Sequence, residues 1–206
     1  GTITITGINL YSGEVVINFT INSLDISTSD EIEVTNINDV EFYTGSEITP
    51  IPVVSYGNVT LTSGTDYIVT YSNNKDVTTD TVKAAVIITG SGNFTGTITK
   101  EFEIVKETFD NITVELDKET YTYTGLQITP EVKVTLNGKE LTLGKDYTLA
   151  YGENITAGIN AGHIIISAIG IYSGTKDVYF DIEKAELIFN ILGTATKDYD
   201  GDSYEF

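Results

Sequence analysis

The chain has no cysteine, no methionine and no tryptophan, a single histidine, and three prolines in 206 residues. Without cysteine there is no disulfide framework, no thiol nucleophile and no Cys-ligated zinc. Any fold therefore rests on its own apolar core, which modules near about 80 residues can build. Arginine is missing too: all 11 basic residues are lysine, set against 30 acidic ones, for a net charge of −19. That balance lacks the basic patches that nucleic-acid binding needs, and it repels anionic membrane surfaces. No apolar run approaches the ~18 residues of a membrane span. No signal-peptide pattern or initiator methionine opens the chain, which reads as a mature or excised segment. Nor does any window carry apolar residues at helical spacing over three turns, and helix-start signals are lacking.

What the chain does have is threonine and isoleucine, 32 and 27 of them. Both are β-branched and suit a pleated, half-buried surface. One stretch recurs three times: TITITGINLYSGEVVINFTI at 2–21, AVIITGSGNFTGTITKEFEI at 85–104 and HIIISAIGIYSGTKDVYFDI at 163–182. Each reads as strand, tight Ser-Gly or Thr-Gly turn, strand. Phe19, Phe102 and Phe180 share a column, as do Ile21, Ile104 and Ile182, the turn glycines Gly13, Gly96 and Gly174, and the aromatics Tyr11, Phe94 and Tyr172. Self-similarity at a period of about 80 residues marks an array of modules.

The repeat divides the chain. Residues 1–21 read as the C-terminal hairpin of an incomplete repeat, and Asn22–Glu31 as a polar linker. Residues 32–106 and 107–184 read as complete repeats, joined by a short connection at Val105–Asn111. Residues 185–206 supply the opening strands of a further incomplete repeat, up to Tyr199-Asp-Gly201. Pro52 confines its strand to an edge or a strand start, and Asn137-Gly138 is a two-residue hairpin signal. Many short strands with turn signals every eight to twelve residues predict an all-β fold of about seven-stranded β-sandwich modules, Ig-like and end to end.

The joint pattern Y-T-G, I-T-P, G-x-D-Y-x-x-x-Y, N-(F/Y)-T-G-T and F-x-I is carried here by Tyr43, Gly45, Pro50, Gly64, Asp66, Tyr67, Tyr71, Gly90, Phe94, Gly96, Phe102 and Ile104. The second repeat carries it on Tyr123, Gly125, Pro130, Gly144, Asp146, Tyr147 and Tyr151. It resembles the tandem Ig-like modules of Gram-positive bacterial cell-surface and adhesin proteins, of the YDG and mucin-binding-glycine type. The resemblance covers nearly the whole chain and departs at Ala168, where glycine is usual, and Glu153, where asparagine is usual. It implies a secreted or cell-wall-attached stalk, with no catalytic, cofactor or metal residues to carry over.

Each chemically suggestive residue has a plainer reading beside the functional one. Asp66-Tyr67 and Asp146-Tyr147 form either a ligand-binding carboxylate pair or a turn whose acid accepts backbone N–H bonds; repetition in both repeats favours the turn. Asp198, Asp200 and Asp202 cluster near Gly201 as hard-cation ligands would, but the spacing misses the EF-hand pattern. His163 lacks the nucleophile and orienting acid of a triad and reads as a strand residue on the face opposite Ile164 and Ile166. Lys100 falls in a column with Ile17 and Val178 that should face the core. A buried lysine is costly unless paired, so it reads as a local bulge or edge position, against an amide crosslink to Asn or Asp of the kind related surface stalks carry. Five sequons stand at Asn18, Asn58, Asn93, Asn111 and Asn154.

The function expected from this reading is a structural stalk or spacer in an extracellular surface protein. The alternative is an Ig-like module that binds host or surface glycans or proteins. The six apolar residues on one face of the 1–21 hairpin are too many to leave in water. They are expected to be covered by β-pairing with 185–206 of another copy of the chain, head to tail, or by docking back onto the first complete repeat.

Overall fold

The computed structural model describes residues 1–189 and Gly201. Among these the chain is nearly all β, with one short 3₁₀ turn at Phe109–Asn111. Asp198, Asp200 and Asp202 lie outside the described residues. Two compact bodies are distinguished. The first contains Gly1–Asp110 together with Gly144–Tyr147 and Ala168–Gly174; the second contains Asn111–Leu143, Thr148–Ser167 and Thr175–Phe206.

In the first body, Ile32–Thr35, Val53–Tyr56 and Val59–Thr60 form a three-stranded antiparallel sheet in that order. Pro52 sits immediately before the central strand, where no ladder hydrogen bond is lost to its missing N–H. A four-stranded sheet runs Val40–Phe42, Thr97–Val105, Ala84–Gly90, Tyr67–Ser72. Its first pair is parallel, and the others are antiparallel. Apolar residues alternate along these strands, so each sheet has one inward face. Val54 of the first sheet and Tyr67, Ala84, Val86, Ile88, Phe102 and Ile104 of the second meet in one buried cluster, giving a sandwich-like packing.

Asn22–Glu31 is more than a connection. Leu24–Asp25 pairs in parallel with Phe94–Thr95, and Ile26 is buried in the same cluster. The equivalent segment after the first repeat, Glu107–Thr108, pairs in parallel with Tyr172–Ser173. Two apolar residues in a polar stretch are what sequence composition concealed.

The second body repeats the sheet orders. Ile112–Leu116, Val132–Leu136 and Lys139–Glu140 form a three-stranded sheet. Thr120–Thr122, Thr175–Glu183, Gly158–Ala168 and Tyr147–Tyr151 follow one another in a four-stranded one. Leu136 pairs with Lys139 across Asn137-Gly138, and both turn residues have positive φ, 51° and 80°. That is the geometry a two-residue hairpin demands and asparagine and glycine tolerate. Phe180 and Ile182 are buried like Phe102 and Ile104, so the face assigned to that column is correct in both repeats; a register slip of one would have exposed all four.

The N-terminal hairpin pairs Thr2–Thr6 with Glu14–Asn18 as a separate two-stranded sheet. Every apolar residue on it is exposed. Docking back onto the first repeat is therefore contradicted: the linker that would carry it is held at Phe94–Thr95, and no strand of the body pairs with the hairpin.

Candidate functional site

The repeated polar residues converge on the fold's own backbone. Asp66 caps its turn: Oδ2 accepts the Thr62 N–H at 2.8 Å, while the Asp66 carbonyl accepts from Ser91 N–H, also at 2.8 Å. Gly64 N–H donates to the Tyr67 carbonyl at 2.7 Å, closing the loop. Tyr67 is buried, with its hydroxyl 3.4 Å from the Pro52 carbonyl. In the second repeat Asp146 is buried, and its carbonyl accepts from Ile169 N–H at 2.9 Å. The turn reading is the one the geometry supports at Asp66, whose carboxylate faces its own loop.

A second repeated device was only half legible in the sequence. The Tyr71 hydroxyl donates to the Pro50 carbonyl at 2.9 Å, and the Tyr151 hydroxyl to the Pro130 carbonyl at 2.7 Å. Three residues beyond each tyrosine, Asn74 Nδ2 donates to the Ile48 carbonyl and Asn154 Nδ2 to the Ile128 carbonyl, both at 3.0 Å. The backbone returns the bond, from Ile48 N–H to Asn74 and from Ile128 N–H to Asn154. Tyrosine and asparagine thus clamp the I-T-P segment from one side. The signal lies in two shared columns, Tyr71 with Tyr151 and Asn74 with Asn154, but locally Asn154 reads only as a sequon. Asn154 is buried and its Oδ1 also accepts the His163 N–H at 2.8 Å, so the folded chain offers no glycan acceptor there. Asn18, Asn58, Asn93 and Asn111 are exposed. Burial raises the pKa of both clamp tyrosines above the ordinary phenol value, with nearby carboxylates adding to it at Tyr151.

His163 lies opposite Tyr179 in the ladder, on the face away from buried Ile164 and Ile166. Its ring stacks on Tyr179 with centroids 4.6 Å apart, and Nε2 is 2.7 Å from Asp177 Oδ1. An acid and an imidazole are in contact, but among the described residues no hydroxyl makes a hydrogen bond to the ring. Nearby in the fold of the second body, the Tyr121 hydroxyl donates to Asp117 Oδ1 at 2.6 Å, and Glu131 N–H donates to the same oxygen at 2.9 Å. Those bonds hold the Asp117 carboxyl below its usual range, the Tyr121 bond foremost. Tyr121 is pushed up by burial first and by Asp117 second.

Lys100 is exposed although its ladder partner Val86 is fully buried. The reason is the sheet edge. Val40–Phe42 covers only Glu103–Val105 of that strand, so at Lys100 the strand has an open side through which the chain can leave the core. Lys83, just ahead of the neighbouring strand, is ion-paired with Glu103, which raises the Lys83 pKa. The residue equivalent to Glu103 is Asp181, whose Oδ1 accepts the Asn160 N–H at 2.7 Å.

Among the described residues no group of three or more His, Asp or Glu side chains is placed to hold a metal ion. No helix there is long and apolar enough to cross a membrane. Two surfaces stand out among the described residues: the uncovered apolar hairpin and a flank of the second body, where a groove of about 550 Å³ is lined by apolar residues such as Val114, Leu116 and Tyr179 and equally by charged and polar ones, Glu115, Lys118 and Asp181 among them. No protein-family model, curated protein or solved structure matches the chain.

Proposed function

We propose that the chain is a run of Ig-like β-sandwich modules in tandem, acting as a structural spacer in an extracellular bacterial surface protein of the YDG and mucin-binding-glycine type. One observation carries this reading: the polar residues that recur in both repeats are spent on the repeat's own backbone. Asp66 serves its turn, and Tyr71, Tyr151, Asn74 and Asn154 serve the I-T-P clamp. A repeated ligand site would leave its recurring polar groups pointing outward. Repetition of a self-contained module extends a chain without adding chemistry, and the charge of −19 keeps such an array soluble. Pulling a single chain between its ends tests this. Two separate unfolding events are expected, each lengthening the chain by roughly 250 Å at about 3.5 Å per residue; one event, or gradual extension without a force peak, overturns it.

A glycan- or protein-binding role is favoured by one feature, the exposed Tyr179 ring beside the open groove of the second body, since aromatic faces are the usual sugar platforms. Chemical-shift titration with cell-wall and host oligosaccharides decides it: shifts centred on Tyr179 and His163 support binding, and an unchanged spectrum removes it.

A further inference from the structure

Each four-stranded sheet contains a strand that is covered along only part of one side. In the first body Thr97–Val105 has Ala84–Gly90 on one side. On the other, Val40–Phe42 reaches Glu103–Val105 and no further. In the second body Thr175–Glu183 has Gly158–Ala168 on one side, and Thr120–Thr122 reaches only Asp181–Glu183 on the other. Residues 97–102 and 175–180 are therefore open sheet edges. The Glu103 N–H donates to the Asp39 carbonyl and the Val105 carbonyl accepts the Tyr43 N–H, so these residues turn their backbone groups to the partly covered side. By the alternation of a strand, Thr97, Thr99 and Glu101 do the same, and among the described residues nothing meets them there. The Glu183 carbonyl, which accepts the Tyr123 N–H, sets the same parity for Thr175, Asp177 and Tyr179. There is room for a further strand: grooves of about 360 and 550 Å³ border the edges at Glu101 and Phe102 and at Val178, Tyr179 and Phe180.

An edge of this kind recruits strands. Each of these two carries one lysine where core-facing parity calls for an apolar residue. Lys100 shares its face with Ile98, Phe102 and Ile104, and Lys176 with Val178, Phe180 and Ile182. Their ladder partners, Val86 and Ile166, are 0% exposed, yet both lysines are exposed. Among the described residues neither is ion-paired. The fold does not demand a lysine at either rung, because the column of Lys100 holds Val178 in the second repeat and the column of Lys176 holds Ile98 in the first. The two repeats place the charge on different rungs but on the same open stretch. The central strands Ala84–Gly90 and Gly158–Ala168, flanked on both sides, hold no lysine.

We propose that Lys100 and Lys176 guard the two open edges, each keeping a second copy of this chain from adding its own edge strand there. A core-facing lysine reaches water only past the uncovered side of its strand. A strand added along 97–102 or 175–180 closes that way out and traps the ammonium against the core, which opposes the ladder bonds gained. Every copy presents the same edges, so without the charge a two-fold antiparallel pairing is open to all of them. An inward-pointing charge on an edge strand blocks that pairing. The inference rests on the sheet edges alone and stands whether or not the chain is a spacer.

Residue-resolved amide hydrogen exchange of the whole chain at rising concentration tests it. The variants are Lys100→Val and Lys176→Ile, each importing the residue of the sibling repeat. In the parent, the amides of Thr97, Thr99, Glu101, Thr175, Asp177 and Tyr179 should exchange fast at every concentration. Lys100→Val should slow Thr97, Thr99 and Glu101 by about tenfold or more where paired chains dominate, and leave the other three fast. Lys176→Ile should do the reverse. The readout is local, so association through any other surface leaves it unchanged. Urea midpoints of both variants at low concentration should equal or exceed the parent's. Lys100→Thr and Lys176→Thr give the same reading should either apolar variant fold poorly. Lys100→Glu and Lys176→Glu should keep both edges open, since either sign of charge is costly to trap. Parent amides that already slow with concentration overturn the proposal, because the edges then pair with the lysines in place. Folded uncharged variants whose edge amides stay fast at every concentration overturn it too, as do glutamate variants whose edge amides slow.

Discussion

Gly162 faces Phe180 directly across the ladder, and the position is occupied by Ala84 opposite Phe102 in the first repeat. A Cβ built on Gly162 would overlap three atoms of the Phe180 ring, the farthest of them 2.5 Å away. Carbon–carbon contact needs about 3.5 Å, so the ring must move by about an ångström. It has little room: Phe180 is buried and meets Tyr121 edge-on with centroids 4.9 Å apart. Overpacking of this kind costs ~1–3 kcal/mol, while alanine in a strand recovers ~0.5–1 kcal/mol over glycine. Gly162→Ala should therefore destabilise the second body by about 0.5–2 kcal/mol. Urea unfolding followed by tyrosine emission and far-UV circular dichroism reads this as a lower midpoint at unchanged slope. The control is the same substitution in a Phe180→Ala background. With the ring gone, Gly162→Ala should become neutral or stabilising, which isolates the pairwise effect. An equal cost in both backgrounds, or none in the parent, refutes the clash.

Phe102→Ala should cost ~3–5 kcal/mol, the range for an aromatic deleted from a packed core; a neutral melt would remove Phe102 from the centre of the first body. Asn154→Ala leaves the Ile128 carbonyl and the His163 N–H without their partner and should cost ~1–3 kcal/mol, read from urea midpoints, whereas a merely exposed loop asparagine would cost almost nothing. Asp117 has a depressed carboxyl in the folded chain, so its contribution is present above the ordinary aspartate value near ~4 and is lost as pH falls through the folded pKa. The midpoint of the parent should thus fall more steeply below pH ~4 than that of Asp117→Asn, and parallel curves would show that the Tyr121 bond does not bias the carboxyl.

The repeat, the all-β class, the hairpin registers and the inward faces were set by the sequence alone. Period-2 alternation commits a side chain to one face of a strand, and three copies of the same columns make a slip visible: Phe102 and Phe180 are buried because Ile104 and Ile182 share their parity. Other features depended on neighbours distant in the chain. Lys100 has core parity, yet it is exposed because the parallel strand Val40–Phe42 stops short of it, and no local pattern encodes where a partner strand ends. Leu24 and Ile26 lie in a stretch that composition marks as linker, and only the free edge at Phe94–Thr95 turns it into a strand. Asn74 and Asn154 look like loop residues until the I-T-P carbonyls are brought within 3.0 Å of them. The N-terminal hairpin is the converse case. Its residues specify burial as fully as those of the other two copies, but burial is a property of what lies opposite. Among the described residues no strand pairs over it, and the linker that follows is held by the first repeat.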